Sequence, residues 1–215
     1  MQTDILGGKI YYFDTIDSTQ SFALSLASKP YENGSVVIAQ RQTKGRGRLN
    51  RKWISPKGSL ALAKAIEKVL KLKPRLKWPN DVTLNDKKVA GILIDASIES
   101  NKIGYLVIGV GINFRIQPRI VSRQARDTEN FYGITTLVGK NETANPIDLV
   151  QYFLYELEQL YNKVISNNLT EIRKEWTERS STIGRNITVA TPNGQVKGKA
   201  ISSRRCLLRE LESQD

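Results

Sequence analysis

The hydrophobic positions of this chain fall into two patterns, short runs rich in aromatic and β-branched residues and longer stretches in which apolar residues recur every three or four positions. The stretches KIYYFDTI at 9–16 and SVVIAQRQ at 35–42 have the first pattern, which is typical of strands. Between them, DSTQSFALSLASKP at 17–30 offers capping residues at its start and a proline at its end. We therefore predict a strand, a helix and a second strand.

The middle of the chain predicts one helix and several strands. ALAKAIEKVLKL at 61–72 has the residue types and spacing of an amphipathic helix. RLKWPNDVTL at 75–84 and KVAGILIDASI at 88–98 read as strands on either side of the turn sequence NDKK. YLVIGVGINF at 105–114 is predicted to be a buried strand, and the polar stretch 117–145 to be irregular.

The last third predicts two helices and then a small group of strands. The helices are expected at 145–167 and 169–180, the first with an asparagine cap followed by proline. After them, RNITVATPNGQVKGKAI at 185–201 reads as two strands around a Pro-Asn-Gly turn, with CLLREL as a third. We place a domain boundary near Ser181, which divides the chain into residues 1–181 and 182–215.

Composition removes several classes of function. The chain has no histidine, so Ser-His-Asp and Cys-His catalysis and two-histidine zinc motifs are excluded. Its single cysteine, Cys206, forms neither an intramolecular disulfide nor a cysteine-based zinc site alone. The sequence shows neither an apolar run of about eighteen residues nor the layout of a signal peptide, which predicts a cytoplasmic protein with no membrane partner.

The charge balance favours anionic ligands. Lys and Arg number 33 against 21 Asp and Glu, a net charge of +12 that attracts nucleic acid, nucleotides, anionic membranes or an acidic protein. Charge alone does not choose among them.

The most basic stretch is TKGRGRLNRKW at 43–53. Its glycines permit close backbone approach and its arginines form paired hydrogen bonds to phosphate or carboxylate, although a solvated or nonspecific nucleic-acid-binding loop fits equally well. The spacing is neither that of a P-loop nor, with Asn50 in place of a third glycine, that of a dinucleotide fingerprint. The glycines are Gly45 and Gly47, and the arginines are Arg46, Arg48 and Arg51.

Three further signals are individually weak. Trp53 could stack on an adenine or plug the core beneath the loop. KWPNDV at 77–82 could belong to a site or be a turn between two strands. Lys88, at the head of an apolar strand and near Gly91, could point its ammonium into a site or simply be solvated.

Four motifs taken together are more specific. DSTQ at 17–20, QTKGRGRLNRKW at 42–53, KWPNDV with KVAGILID at 77–95, and GVGIN at 109–113 resemble the catalytic domain of biotin protein ligase, in its monofunctional form without an N-terminal DNA-binding domain. The resemblance implies an α+β fold, with a mixed central sheet flanked by helices as in class II synthetases and a small C-terminal SH3-like β domain. It also implies that biotin reacts with ATP to give biotinyl-5'-AMP, and is then transferred to a lysine of a carrier domain.

The resemblance also implies roles for individual residues. Biotin is assigned to Ser18, Thr19, Gln20, Gln42, Gly45, Arg46, Gly47, Arg48, Lys88 and Gly91. ATP is assigned to Arg48, Arg51, Trp53, Lys88 and Asn113. Arg48 and Lys88, on the biotin carboxylate and the α-phosphate, are the catalytic pair. Asp81 is left open between assisting the acceptor lysine and holding Lys77.

The implied ligands and partners are ATP, biotin, Mg²⁺ and the biotin carboxyl carrier domain of a carboxylase. We expect a homodimer and no specific DNA binding. The metal ligands stay unassigned, because no carboxylate cluster marks a dedicated site.

The chain departs from the family pattern after Leu60, where the family has a further strand and a loop but ALAKAIEKVL follows here at once. We favour additional residues in the natural protein at this point, and also near Ala200, over a reduced fold; an intact mass well above 24.2 kDa would support this.

Two alternatives stay open. A lipoate-type ligase shares the implied fold, although its triple glycine and histidine are absent from this chain. A basic nucleic-acid-binding protein would use the loop for phosphate contacts but leaves the other motifs unexplained.

Overall fold

The structure is a computed structural model that describes residues 2–28, 33–45, 56–99, 102–115, 133–139, 142–191, 194–201 and 211–212. Its strands are β1 (Ile10–Ile16), β2 (Val36–Gln42), β3 (Arg75–Lys77), β4 (Asp81–Leu84), β5 (Lys87–Glu99), β6 (Lys102–Ile112), β7 (Asn186–Thr191), β8 (Gly194–Ala200) and β9 (Leu211–Glu212). Its helices are α1 (Thr19–Ala27), α2 (Pro56–Leu70), α3 (Pro146–Ile165) and α4 (Leu169–Arg179). The fold is α+β, as predicted.

The predicted strand, helix and strand at the start of the chain are confirmed. β1 and β2 form a parallel pair, and α1 connects them. Phe22 of α1 packs edge-to-face on Tyr11 and Phe13 of β1, with ring centroids 5.5 and 5.0 Å away. These aromatic contacts hold α1 against β1.

β3 to β6 form a separate antiparallel sheet in chain order. β3 and β4 are two short strands joined by a turn at Trp78–Asn80, so the reading of 75–84 as one strand was wrong and the reading of KWPNDV as a turn between two strands is confirmed. Proline at position 79 has no N–H for a strand ladder, and the Trp78–Pro79 peptide bond is cis. The turn pairs Lys77 with Asp81 across the two strands.

α2 begins at Pro56, five residues before the predicted start at 61. Gly58 lies so close to β5 that an added Cβ would be 3.2 Å from Ile92 Cγ2, so the first turn packs against the sheet. Leu60 and Ala61 are consecutive, fully buried positions of this helix. The described residues after Leu60 continue α2, and the next strand is β3. The strands β1 to β6 form two separate sheets, β1–β2 and β3–β6.

α3 and α4 confirm the two predicted C-terminal helices. Asn145 caps α3 by accepting a hydrogen bond from the Ile147 N–H at 3.0 Å, and Pro146 occupies the first turn. α2 and α3 bury their apolar faces in one common core, and a 2.7 Å ion pair between Lys64 and Glu156 joins them at the rim. The helices thus cover the core beside the four-stranded sheet.

The N-terminal turn is held by a buried carboxylate. Glu158 of α3 is 2% exposed, and its two oxygens accept hydrogen bonds from the backbone N–H groups of Asp4, Ile5 and Leu6 at 2.7, 2.9 and 2.8 Å. Burial acts to raise the pKa of Glu158, but the three N–H donors outweigh burial and hold the pKa below its ordinary value.

β7, β8 and β9 form a small antiparallel sheet. Of the predicted third strand, only Leu211 falls within β9, and the remainder lies outside the described residues. Ser181 donates from its N–H to the Leu76 carbonyl at 2.8 Å, where the chain leaves α4 for this sheet. The domain boundary near Ser181 and the SH3-like character of the C-terminal part stay predictions. No helix in the described ranges is long and apolar enough to cross a membrane.

Candidate active site

The first half of the candidate site lies where α1 begins and β2 ends. The Gln42 side-chain oxygen accepts hydrogen bonds from the Thr19 N–H at 2.9 Å and from the Thr19 hydroxyl at 3.2 Å. Ser18, which is 4% exposed, caps α1 by accepting from the Ser21 N–H at 3.3 Å. The structure therefore brings together Ser18, Thr19 and Gln42, as the motif resemblance implied.

Asp17 fixes the segment that follows β2 to the start of α1. Its carboxylate accepts from the Thr43 hydroxyl at 2.5 Å and pairs with the Lys44 ammonium at 3.1 Å. Its carbonyl accepts from the Lys44 N–H at 2.8 Å. The Thr43 hydrogen bond, together with the hydrogen bond and charge of Lys44, lowers the pKa of Asp17. The entry to the basic loop is thus tied to the Ser18–Thr19 turn.

The loop itself is described only as far as Gly45. The other loop residues predicted to bind ligand lie outside the described residues, and they are Arg46, Gly47, Arg48, Arg51 and Trp53. Their roles stay predictions.

The second half of the site is an ion pair between β4 and β5. The Lys88 ammonium lies 2.8 Å from the Asp81 carboxylate. The side chain of Asp81 is 2% exposed, whereas that of Lys88 is 33% exposed. The buried partner therefore holds in place an ammonium that solvent or a ligand still reaches. The sequence left the role of Asp81 open, and in the structure its carboxylate contacts the Lys88 ammonium.

Gly91 makes room for this pair. A Cβ added at position 91 would lie 3.0 Å from Lys88 Nζ, 3.2 Å from Lys88 Cε and 3.4 Å from an Asp81 carboxylate oxygen. The predicted site residue Gly91 is thus next to Lys88, and its role in the structure is to leave space.

Asn80 and Asn113 hold the backbone around the ion pair. The Asn80 side-chain amide donates to the Ile92 carbonyl, and the Ile92 N–H donates back to the Asn80 carbonyl at 2.9 Å. Asn113, directly after β6, donates from its N–H to the Val89 carbonyl at 2.7 Å and from its amide to the Lys88 carbonyl at 3.4 Å. Asn113 therefore lies against the backbone of Lys88, and its ATP role stays a prediction. The anchoring role of Asn80 was missed.

Gln20 points away from the Thr19–Gln42 contact. Its amide donates to the Asp95 carboxylate at 2.9 Å, and its side chain packs on Gly109 between α1 and the second sheet. The structure therefore does not bring this amide to the other residues predicted to bind biotin.

Metal ligands are not apparent in the described ranges, where no group of three or more histidine, cysteine, aspartate or glutamate side chains is placed to hold an ion.

Known proteins define the class to which this fold and site belong. The model of the "Biotin/lipoate A/B protein ligase family" matches residues 12–74 and 63–113, which contain the Thr19–Gln42 contact and the Lys88–Asp81 ion pair. Over residues 12–113 the chain is similar to this family, and its relatives support a ligase of the biotin protein ligase type.

Individual relatives agree with that assignment. The bifunctional ligase/repressor BirA of Bacillus subtilis is 28% identical, over 94% of this chain and 68% of the relative. The biotin (acetyl-CoA-carboxylase) ligase of Paracoccus denitrificans is 29% identical, over 85% of each chain. Among solved structures, the biotin protein ligase of Aquifex aeolicus in complex with biotin and ATP has a TM-score of 0.69 at 24% identity, over 91% of this chain and 88% of that one, and it supports the fold.

Proposed function

We propose that this protein activates biotin with ATP, as biotinyl-5'-AMP, and transfers the biotinyl group to one lysine of a biotin carboxyl carrier domain. The observation that carries the proposal is the Lys88–Asp81 ion pair, which presents a fixed and accessible ammonium on the strand whose backbone Asn113 contacts. The residues of the Thr19–Gln42 contact supply the polar groups for the ureido ring of biotin.

The chemistry needs fixed positive charge more than it needs a proton shuttle. A biotin carboxylate oxygen attacks the α-phosphorus of ATP, and pyrophosphate leaves, so anionic groups are forced together. Lys88 stabilises the charge that accumulates on the α-phosphate, and magnesium bound to the phosphates would supply further charge there. In the second step an uncharged lysine amine attacks the acyl carbon, AMP leaves, and the amine loses a proton.

The other properties in this proposal are inferred from the same family resemblance. The carrier domain is the expected partner because one relative is a ligase of acetyl-CoA carboxylase. A net charge of +12 suits both ATP and an acidic carrier. A homodimer, a magnesium requirement and a cytoplasmic location complete the proposal.

The test is calorimetric titration with biotin, alone and then with a nonhydrolysable ATP analogue, followed by a pyrophosphate-release assay. We expect biotin to bind, nucleotide binding to strengthen when biotin is present, and pyrophosphate release to depend on biotin. Lipoate and random-sequence duplex DNA are the comparison ligands. Binding of either one, with no response to biotin, would reject the proposal in favour of the corresponding alternative.

The space at Gly91 provides a second prediction. Gly91→Ala should push the Lys88 ammonium away from Asp81, and displacement of a positioned group by a fraction of an ångström lowers adenylation by about 10-fold. Single-turnover pyrophosphate release measures the rate. Gly111→Ala is the matched control, because Gly111 pairs with Gly91 across β5 and β6 and a Cβ there meets nothing closer than 3.9 Å. Equal effects of the two substitutions would contradict the prediction.

A further inference from the structure

The two halves of the candidate site belong to different sheets. Thr19 and Gln42 are carried by the β1–β2 unit, whereas Lys88 and Asp81 are carried by the β3–β6 sheet. In the described residues no strand of one sheet pairs with a strand of the other. The distance between the two halves must therefore be maintained by contacts other than a strand ladder.

Gln20 makes such a contact directly beside the site. It follows Thr19 in α1, and its side chain is 5% exposed, so the amide lies in the interface and not in solvent. The amide donates to an Asp95 carboxylate oxygen at 2.9 Å. Asp95 lies four residues after Gly91 in β5 and therefore faces the same side of the strand. The Gln20 side chain thus links α1, directly after Thr19, to the face of β5 that carries Gly91.

The position of the Gln20 amide is also limited from β6. A Cβ added at Gly109 would lie 2.1 Å from the Gln20 side-chain oxygen and 3.1 Å from Cδ, so any larger residue at position 109 displaces the amide. The oxygen is buried and accepts no hydrogen bond from a described residue. Because the nitrogen also donates to Asp95, the Gln20 amide is held from both β5 and β6.

We propose that Gln20 is a positioning residue that sets the distance between the Thr19–Gln42 half and the Lys88–Asp81 half of the site. This inference rests on the proposed function. Gln20 touches no reacting atom; it acts through α1 and β5. Its loss should therefore affect the step that needs both halves in register, the attack of the biotin carboxylate on the α-phosphate, more than the binding of either ligand alone.

The kinetic signature separates positioning from general destabilisation. For Gln20→Ala we expect the single-turnover rate of adenylation to fall about 10-fold, while the dissociation constants of biotin and of the ATP analogue, each measured alone, change by no more than about threefold. An unchanged rate, or a loss confined to biotin affinity, would overturn the positioning role.

A double-mutant cycle tests the contact with Gly109. Gly109→Ala alone should lower the rate by about 10-fold, because the new methyl group displaces the Gln20 amide. In the Gln20→Ala background the same substitution should cost no more than about twofold, since the space is then vacant. Equal costs in the two backgrounds would show that the residues act independently and would reject the inference.

Asp95 supplies a test that does not depend on the glycine variants folding. Asp95→Asn retains an oxygen that accepts from Gln20 and should keep the rate within about twofold, whereas Asp95→Leu removes the acceptor and should match Gln20→Ala. Equal rates for the two Asp95 variants would contradict the proposal. Absence of biotin-dependent pyrophosphate release by the unmodified protein would instead reject the proposed function, and this inference with it.

Discussion

Replacing Lys88 with methionine is expected to lower the single-turnover rate of adenylation by about 100-fold or more, the usual cost of removing one positioned group that stabilises transition-state charge. Methionine keeps an unbranched side chain of similar length and removes the ammonium. Lys88→Arg should retain part of the rate because it keeps the positive charge, although a guanidinium does not reproduce the contact with Asp81.

The same substitution also removes the ion-pair partner of a buried carboxylate, and a second variant separates the two effects. In Lys88→Met the Asp81 side chain, 2% exposed, loses its contact with the Lys88 ammonium, so stability should fall as well. Lys88→Met combined with Asp81→Asn should recover the thermal midpoint without recovering the rate. Lys87→Met changes the exposed neighbouring lysine and is the matched control. A rate restored by the second substitution would show that Lys88 acts through stability alone.

Replacing Glu158 with glutamine is expected to lower the free energy of unfolding at pH 7 by about 2 to 3 kcal/mol. Three backbone N–H groups now share one carboxylate, and an uncharged amide with a single acceptor oxygen leaves part of that donor set unsatisfied. Urea denaturation followed by tryptophan fluorescence measures the change.

The Glu158 effect should depend on pH in one direction. Because the folded-state pKa lies below the ordinary value of 4.5, the carboxylate contributes its full stabilisation above that pH and loses it as the pH falls through the lower, folded-state pKa. The difference between the two proteins should therefore be largest near neutrality and shrink below about pH 4.5. A difference that grows with acidity would contradict the pKa assignment.

Glu156→Gln is the matched control for Glu158. Glu156 lies on the same helix, but its carboxylate pairs with the Lys64 ammonium, and the side chains are partly buried, at 17% and 24% exposure. Lys64 keeps Glu175 as a second partner at 3.6 Å, so Glu156→Gln should cost less stability than Glu158→Gln. Comparable losses from the two substitutions would indicate that the charge of α3, and not the N-terminal turn, is responsible.

Local sequence predicted the elements whose ends carry their own signals. The first strands and α1 were predictable because apolar runs stand on either side of a capping serine, and α3 because asparagine and proline mark its start. The start of α2 was not, because Pro-Lys-Gly-Ser is a poor helix sequence and packing against Ile92 decides it. The turn at Trp78–Asn80 was one of the two readings of KWPNDV, because proline, asparagine and aspartate are turn residues.

For the site, the sequence indicated which residues take part but not where all of their side chains lie. Motifs indicated Thr19, Gln42, Lys88 and Asn113, and the structure brings them together in pairs. The partner of Asp81 could not be read from spacing, because it depends on the register of β4 against β5, which shifts between Val82 and Thr83. The direction of the Gln20 amide depends on the space that Gly109 leaves on another strand.

The hydrogen bonds from residues 4–6 to Glu158 make these residues part of the packed structure around α3. Residues 4–6 lie against α3, and their main-chain N–H groups donate to one buried carboxylate. Proteolytic trimming that stops at Thr3 leaves this arrangement whole. Trimming past Leu6 removes all three donors at once. The Glu158 carboxylate then loses these hydrogen bonds, and α3 should be destabilised.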